Sequence, residues 1–358
     1  MKRIIALFLA VLMLAALVGC GGGTTSSPST DTQDDAEVLT SLFRGIYELE
    51  ERDPETGEPK IGTGAYAPLR FSQERLTRYE GLADIPYAKC TTGVRLDFYT
   101  SAEQVSFRFT MTDSFGDGRT GYPDDCFDIF EDGVYQESVV VSKHSEIREL
   151  NYRRKSTESE SRITIVFPTL HGVILSDISL GEARPVDTYE HKILVFGDSI
   201  TQGLYADKVS DNYIDTICRS LNADYMNLAV GGEVYRQSAL DRDVHYEPTH
   251  IIIALGTNDF HRNHDTQQVA VDCNAYFQMI SMYYPGVPVT VITPFEDQGE
   301  NYVSTYTKAA QDHGCYVIDG RTLMPMTAEN LFDTVHPNSQ GFSVLAQNLL
   351  PIMRERLS

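Results

Sequence analysis

Hydrophobic positions along this 358-residue chain change their period part-way. From about 40 to 185 they alternate with polar ones, as in strands with one buried face. Val94, Leu96 and Phe98 alternate with Arg95, Asp97 and Tyr99. Val105, Phe107, Phe109 and Met111 repeat the pattern, and the stretch 101–104 between the two runs suits a hairpin turn. Phe127 to Phe130 and the run from Tyr135 flank Glu131-Asp132-Gly133-Val134, another hairpin signal. Ile163 to Phe167 and Val173 to Leu175 continue the series. Many short strands separated by turns predict an all-β sandwich of the jelly-roll kind.

From 190 to 358 short apolar runs alternate with helix-length amphipathic segments. Strands are expected at 193–197, 225–229, 250–256, 288–293 and 315–319. Helices are expected near 209–222, 266–284, 300–314 and 340–357. Such alternation predicts a parallel sheet with helices on both faces, and a ligand site at the carboxyl ends of its strands. Arg184-Pro185-Val186-Asp187 reads as the linker, giving a β-sandwich domain at 40–185 and an α/β domain at 190–358. No internal repeat is visible.

The first residues add a location. Lys2 and Arg3 precede an apolar run over 4–18, too short for a confident membrane span. Leu17-Val18-Gly19-Cys20 resembles the bacterial lipobox. The resemblance implies a signal peptide over 1–19, lipidation of Cys20 and an extracytoplasmic, membrane-anchored lipoprotein. The stretch 20–39, rich in Ser, Thr, Gly and Asp, reads as a flexible tether. With 51 acidic against 29 basic residues the net charge is −22, which argues against nucleic acid and anionic surfaces as partners. Oligomeric state is not legible.

Candidate chemistry clusters at the predicted strand ends. Ser199, in Gly197-Asp198-Ser199-Ile200-Thr201, follows the first α/β strand, where a turn exposes a hydroxyl beside unpaired helix N–H groups. Taken alone, Ser199 fits a helix N-cap better. A nucleophilic serine needs a base and an orienting acid. Asp333-Thr334-Val335-His336-Pro337 supplies both three residues apart, and Pro337 keeps His336 out of the final helix. Gly231, Gly232 and the amide of Asn258 are candidate oxyanion donors at the next two strand ends. Asn258 could otherwise bond its own turn, Asp333 cap its loop, and His336 be an ordinary surface imidazole.

Gly197-Asp198-Ser199-Ile200-Thr201, the 227–232 turn, Gly256-Thr257-Asn258-Asp259 and Asp333-Thr334-Val335-His336 together resemble the four blocks of the SGNH (GDSL-type) hydrolase superfamily, in order. The resemblance implies a flavodoxin-like three-layer α/β/α fold. Ser199 is then the nucleophile, His336 the base and Asp333 its partner. The oxyanion hole is formed by the Ser199 N–H, the Gly232 N–H and the Asn258 amide, Gly232 being chosen over Gly231 by its count from Asn227. The β-rich half ahead of this domain is similar to two-domain carbohydrate esterases. The implied function is a serine esterase removing short acyl groups, acetyl foremost, from a glycan or other small acylated molecule. Alternatives are a lysophospholipase or thioesterase of the same fold, and an inactive glycan-binding lipoprotein. Mobile loops near 199–210 and 257–265 are expected around such a site.

Other polar clusters read blandly. Asp113, Asp117, Asp124, Asp125 and Asp128 suit solvated hairpin loops better than a calcium site. His261 and His264 read as loop histidines, since the mechanism calls for neither metal nor cofactor. Cys90 and Cys126 could form a disulfide, or all five cysteines after Cys20 could be thiols. With 20 Tyr, 16 Phe and no Trp, tyrosines would have to serve any sugar platform, and most of these aromatics read more simply as sandwich core.

Overall fold

A computed structural model describes residues 31–82, 85–114, 125–141, 146–156, 158–186, 189–242 and 246–358. The signal peptide and Cys20 lie outside the described residues, as do Asp117, Asp124 and the side chain of Asp113. Among the described residues, no helix is long and apolar enough to cross a membrane.

The first half of the chain supplies β1 (Phe43–Arg44), β2 (Glu48–Glu51), β3 (Tyr66–Leu69), β4 (Arg95–Thr100), β5 (Gln104–Ser114), β6 (Asp125–Glu131), β7 (Val134–Val141), β8 (Arg148–Arg153), β9 (Ser161–Val166), β10 (His171–Ser179) and β11 (Arg184–Pro185). They form two antiparallel sheets. One runs β1-β4-β9-β6-β7, with β11 also pairing β4; the other runs β2-β3-β10-β5-β8. Both bury their apolar positions in a shared core that includes Leu96, Phe98, Phe107, Phe109, Phe127 and Ile163. Phe109 and Phe127 meet edge-to-face across it at 4.9 Å. The expected Asp132-Gly133 hairpin forms, both residues at positive φ, with Glu131 opposite Val134.

The expected hairpin at 101–104 does not form. β4 and β5 belong to different sheets, and the chain crosses the core between them. Alternation gives each strand an apolar face but does not say whether two such strands pair or oppose. Thr100 steers the crossing: its hydroxyl accepts the Ala102 N–H at 3.1 Å and donates to the Leu180 carbonyl at 2.8 Å. The tether expectation is corrected at its far end. Residues Asp31–Leu42 form α1, and Leu39 and Leu42 pack on the β core. The linker is corrected too, since Arg184 and Pro185 pair with Tyr99 and Phe98 as β11.

The second half forms a parallel sheet from β12 (Lys192–Gly197), β13 (Asp224–Asn227), β14 (His250–Ala254), β15 (Val289–Ile292) and β16 (Tyr316–Ile318), in the order β13-β12-β14-β15-β16. This is a doubly wound order with its switch point between β12 and β14. The earlier helices α2 (Gln73–Thr77) and α3 (Ile85–Lys89) precede it; α4 (Ser199–Gln202), α5 (Tyr213–Ser220), α6 (Thr257–His261), α7 (Thr266–Tyr283), α8 (Glu300–Asp312) and α9 (Ser339–Leu357) accompany it. The central strands β12 and β14 are buried on both faces apart from Lys192. Leu194, Phe196 and Ile253 meet α7 and α8 on one side. Ile193, Val195 and Ile252 meet α5 and α9 on the other.

The two halves are not cleanly separated in sequence. Phe71, Leu76, Tyr79 and Ala88 pack into the α7–α8 layer rather than between the antiparallel sheets. Arg70, wholly buried, locks this segment down. It donates to the carbonyls of Cys90 at 2.6 Å, Tyr87 at 2.8 Å, Asn227 at 2.8 Å and Ala229 at 3.0 Å. Burial pushes the guanidinium down to about 10, so it stays charged at neutral pH. Removing it leaves buried carbonyls unpaired, each costing about 1–3 kcal/mol. Arg70→Met is therefore expected to destabilise the protein by at least about 3 kcal/mol in urea titration; an unchanged midpoint would show that the carbonyls find other partners.

Candidate active site

Ser199 stands at the carboxyl end of β12, on the first turn of α4. Asp198 is the N-cap, its side chain accepting the Ile200 N–H at 3.0 Å. The capping role open to Ser199 thus falls to its neighbour, and the serine hydroxyl is left for other work. A Cβ on Gly197 would meet the Thr201 side chain at 2.4 Å, so only glycine allows this tight exit from the strand.

Ser199 Oγ lies 2.8 Å from His336 Nε2, and His336 Nδ1 lies 2.9 Å from Asp333 Oδ2. Asp333 Oδ1 accepts the N–H groups of Val335 at 2.8 Å and His336 at 2.7 Å. Asp333 therefore both caps its loop and orients the imidazole. The loop is closed by Asn338, which bonds the carbonyls of Glu329 and Leu331, and by the Phe332 N–H on the His336 carbonyl. This arrangement can deprotonate a hydroxyl and return the proton to a leaving group.

Burial holds the His336 imidazole below its ordinary range, although Asp333 pulls the other way. Burial raises the Asp333 carboxyl, but the His336 and Val335 N–H groups and the imidazole outweigh it and leave it lowered. Asp198 is pushed up to about 7 by burial, against its bonds to Ile200 and Thr257.

Gly231 and Gly232 are now distinguishable. The Gly231 N–H is spent on Gln202 Oε1 at 2.7 Å, and a Cβ there would strike the Tyr87 ring. Gly232, at φ 81°, has its carbonyl held by Arg262 at 2.6 Å. Asn258 does not bond its own turn. Its amide donates to the Glu233 carbonyl at 3.0 Å, which leaves the second N–H of the same group for another acceptor. Ser199, Gly232 and Asn258 thus follow the ends of three adjacent strands, β12, β13 and β14.

Several contributors had no sequence signal. Gln202 bridges the halves, its Nε2 donating to the Tyr87 carbonyl and Thr92 Oγ1 at 3.2 Å each while its Oε1 holds Gly231. Tyr79 donates to Glu233 Oε2 at 2.6 Å, fixing the residue whose carbonyl orients Asn258. Tyr205, at φ 72°, lies edge-on to His336 with ring centres 4.7 Å apart. Within the stretches 199–210 and 257–265, Ser199–Gln202 and Thr257–His261 are helical, and the Asp207 N–H donates to Ser339 Oγ.

Among the remaining polar clusters, the aspartates differ from expectation. Asp125 and Asp128 are buried rather than solvated. Asp125 accepts the N–H groups of Thr169 and Leu170 and pairs with His171 at 2.8 Å, while Asp128 accepts the Ser210 N–H. His261 pairs with Glu296 and His264 with Asp259. Among the described residues no group of three His, Cys, Asp or Glu could hold a metal. Cys90, Cys126, Cys218, Cys273 and Cys315 are thiols; the Cys90 thiol turns to the Pro86 carbonyl instead of Cys126.

Residues 195–344 match the family described as GDSL-like lipase/acylhydrolase. This segment is a GDSL-like lipase/acylhydrolase domain. The chemistry of the chain is accordingly that of an acylhydrolase or esterase. Among solved structures, a salicylyl-acyltransferase from a tetracycline biosynthetic pathway is similar over 87% of this chain and 94% of its own, at 19% identity and a TM-score of 0.72. An acetyl xylan esterase from Butyrivibrio proteoclasticus is similar over 74% of this chain and 90% of its own, at 15% identity and a TM-score of 0.57. A family two carbohydrate esterase from Cellvibrio japonicus is similar over 89% of this chain and 96% of its own, at 13% identity and a TM-score of 0.59. At these identities the likeness is one of fold. No curated protein sequence matches the chain.

Only a neutral imidazole can accept the Ser199 proton across the 2.8 Å contact, so kcat/KM for a short ester is expected to rise with pH, with a midpoint below the ordinary 6.5. Asp198→Asn removes a carboxyl pushed up to about 7, and the midpoint should persist in that variant. A midpoint above about 7 in both proteins would contradict a neutral His336.

Proposed function

We propose that this protein is a serine esterase that removes short acyl groups, acetyl foremost, from carbohydrate. The observation that carries the reading is the continuous chain from Ser199 Oγ through His336 to Asp333. Ser199 attacks the ester carbonyl carbon while His336 Nε2 takes its proton. The oxyanion forms against the Ser199 and Gly232 N–H groups and the Asn258 amide, each donor worth about 3 kcal/mol. Collapse expels the alcohol, protonated by His336, and leaves an acyl-enzyme. Water, deprotonated by His336, then attacks that ester and releases the acid and Ser199.

The carbohydrate part of the reading is supported by solved structures that span both halves of the chain and are described as carbohydrate esterases. We read the antiparallel sheets as a jelly-roll-like domain over 40–185 and the remainder from 190 as the SGNH domain. The basic start, the apolar run and Cys20 support a lipoprotein that works outside the cytoplasm, held to the membrane by its anchor. The strong negative charge speaks against nucleic acid as a partner.

Acetate release from acetylated xylan and mannan, beside nitrophenyl esters of increasing chain length, tests the reading. Expected are acetate release, preference for the shortest acyl chains, and a loss of about 10⁴-fold or more in Ser199→Ala without a change in Tm. Preference for long acyl chains would favour a lysophospholipase or thioesterase. Glycan binding with no ester cleavage would favour an inactive binding protein. Undiminished turnover in Ser199→Ala would remove the serine mechanism.

A further inference from the structure

Of the candidate oxyanion donors, Gly232 is the one whose direction the local sequence determines least. Val230-Gly231-Gly232-Glu233 is a four-residue turn, closed by the Glu233 N–H on the Val230 carbonyl at 3.0 Å. Gly232 takes the third position at φ 81°, the left-handed value that a type II turn requires there. Two adjacent glycines restrict such a turn very little, since each adopts positive φ as readily as negative. Groups outside the turn must therefore hold it. The Val230 N–H is bonded to the Gly197 carbonyl at 3.0 Å and the Gly231 N–H to Gln202 Oε1 at 2.7 Å. The bond to Gly197 sets the turn beside the strand end from which Ser199 emerges. The Gly232 N–H has no partner among the described residues.

The far flank of the turn rests on α6. That short helix closes with a left-handed cap. Asn263, at φ 55°, sends its N–H to the Phe260 carbonyl at 2.8 Å, and the His264 N–H reaches back to the Asp259 carbonyl at 3.0 Å. The Arg262 N–H is bonded to the Asn258 carbonyl at 3.0 Å. The cap thus fixes the Arg262 backbone, and a spacing of four puts the Asn258 and Arg262 side chains on one face of α6. They hold consecutive carbonyls. Arg262 Nη2 donates to Gly232 at 2.6 Å, and Asn258 Nδ2 donates to Glu233 at 3.0 Å. Asp259 adds a third tie, accepting the Tyr235 N–H at 3.3 Å. The bond from Arg262 comes from a charged donor, which makes it about twice as strong as a neutral one. The peptide that carries the Gly232 N–H therefore lies between two anchored groups, the Gly231 N–H on Gln202 and the Gly232 carbonyl on Arg262.

We propose that Arg262 is the positioning residue of the oxyanion hole, holding the glycine turn so that the Gly232 N–H meets the substrate oxygen. The role rests on the reading of Gly232 and Asn258 as oxyanion donors, and it says what keeps the more flexible of the two in place. Arg262 acts through Gly232 and not on the reacting atoms. Its loss displaces a donor without deleting it, so the effect falls on the transition state and not on binding of the ester.

The test measures kcat and KM for nitrophenyl acetate and the inhibition constant of a short alkylboronic acid, whose tetrahedral adduct on Ser199 presents an oxygen to the same donors. In Arg262→Ala, kcat should fall about tenfold to a hundredfold and boronate affinity by a similar factor, with KM within about twofold and Tm unchanged. Guanidinium chloride, well below the concentrations that unfold the protein, should restore part of the kcat of Arg262→Ala and raise nothing in the wild type. Arg262→Lys keeps a charged donor and should lose less than Arg262→Ala. An unchanged kcat, a change in KM alone, or a lowered kcat with full boronate affinity would each overturn the positioning role. Asn258→Ala separates this from the reading beneath it, because it deletes a donor outright and should lower kcat by about 10²–10³-fold. An unchanged kcat in Asn258→Ala would overturn the oxyanion assignment itself. A loss in Asn258→Ala with none in Arg262→Ala would overturn the role of Arg262 alone.

Discussion

The arrangement of this protein depends on one buried cation. Arg70 sits where the antiparallel sheets meet the parallel one, and its hydrogen-bond partners are main-chain carbonyls rather than a carboxylate. Two of those carbonyls, Asn227 and Ala229, lead directly into the turn that presents Gly232. A charge so deeply buried is costly unless nearly every donor is satisfied, which makes the geometry around it hard to vary. The segment that carries Arg70 also supplies Phe71, Leu76 and Tyr79 to the core beneath the site. The first half of the chain is thus a structural part of the hydrolase layer and not a separate module on a string.

That constraint reaches the chemistry through three short paths. Arg70 fixes the turn after β13. Gln202, one helical turn from Ser199, couples Gly231 to the Tyr87 carbonyl and Thr92. Tyr79 holds Glu233, whose carbonyl aims the Asn258 amide. Preorganised donors matter because they need no rearrangement as charge develops on the substrate oxygen. Ser199 and His336 are set locally, by the Asp198 cap and the closed 329–338 loop. The candidate oxyanion donors Gly232 and Asn258 are set from a distance, through Arg70 and Tyr79, more than a hundred positions earlier in the chain.

This division explains what the sequence could reveal. Ser199, Asp333 and His336 were legible because a strand-to-helix turn and a three-residue Asp–His spacing are local. The parallel sheet was legible because its strands and helices alternate with distinct periods. The β4–β5 crossing was not, since alternation defines a buried face and not the strand it faces. Nor was the fate of residues 71–88, whose apolar side chains announce burial without saying in which core. Arg70, Tyr79 and Gln202 look like ordinary surface residues in one dimension; only the packing of the two halves gives them partners. Asp125 and Asp128 misled for the same reason: their partners, at Thr169, Leu170 and Ser210, lie far away in sequence.

The central claim is that one prepared serine, at the seam of these two halves, performs acyl transfer. Reaction of the intact chain with an activated phosphonate, followed by peptide mass analysis, tests it most directly. A single adduct on the peptide containing Ser199 is the result predicted, abolished by Ser199→Ala. An adduct on any other residue, or none while ester hydrolysis continues, would contradict it.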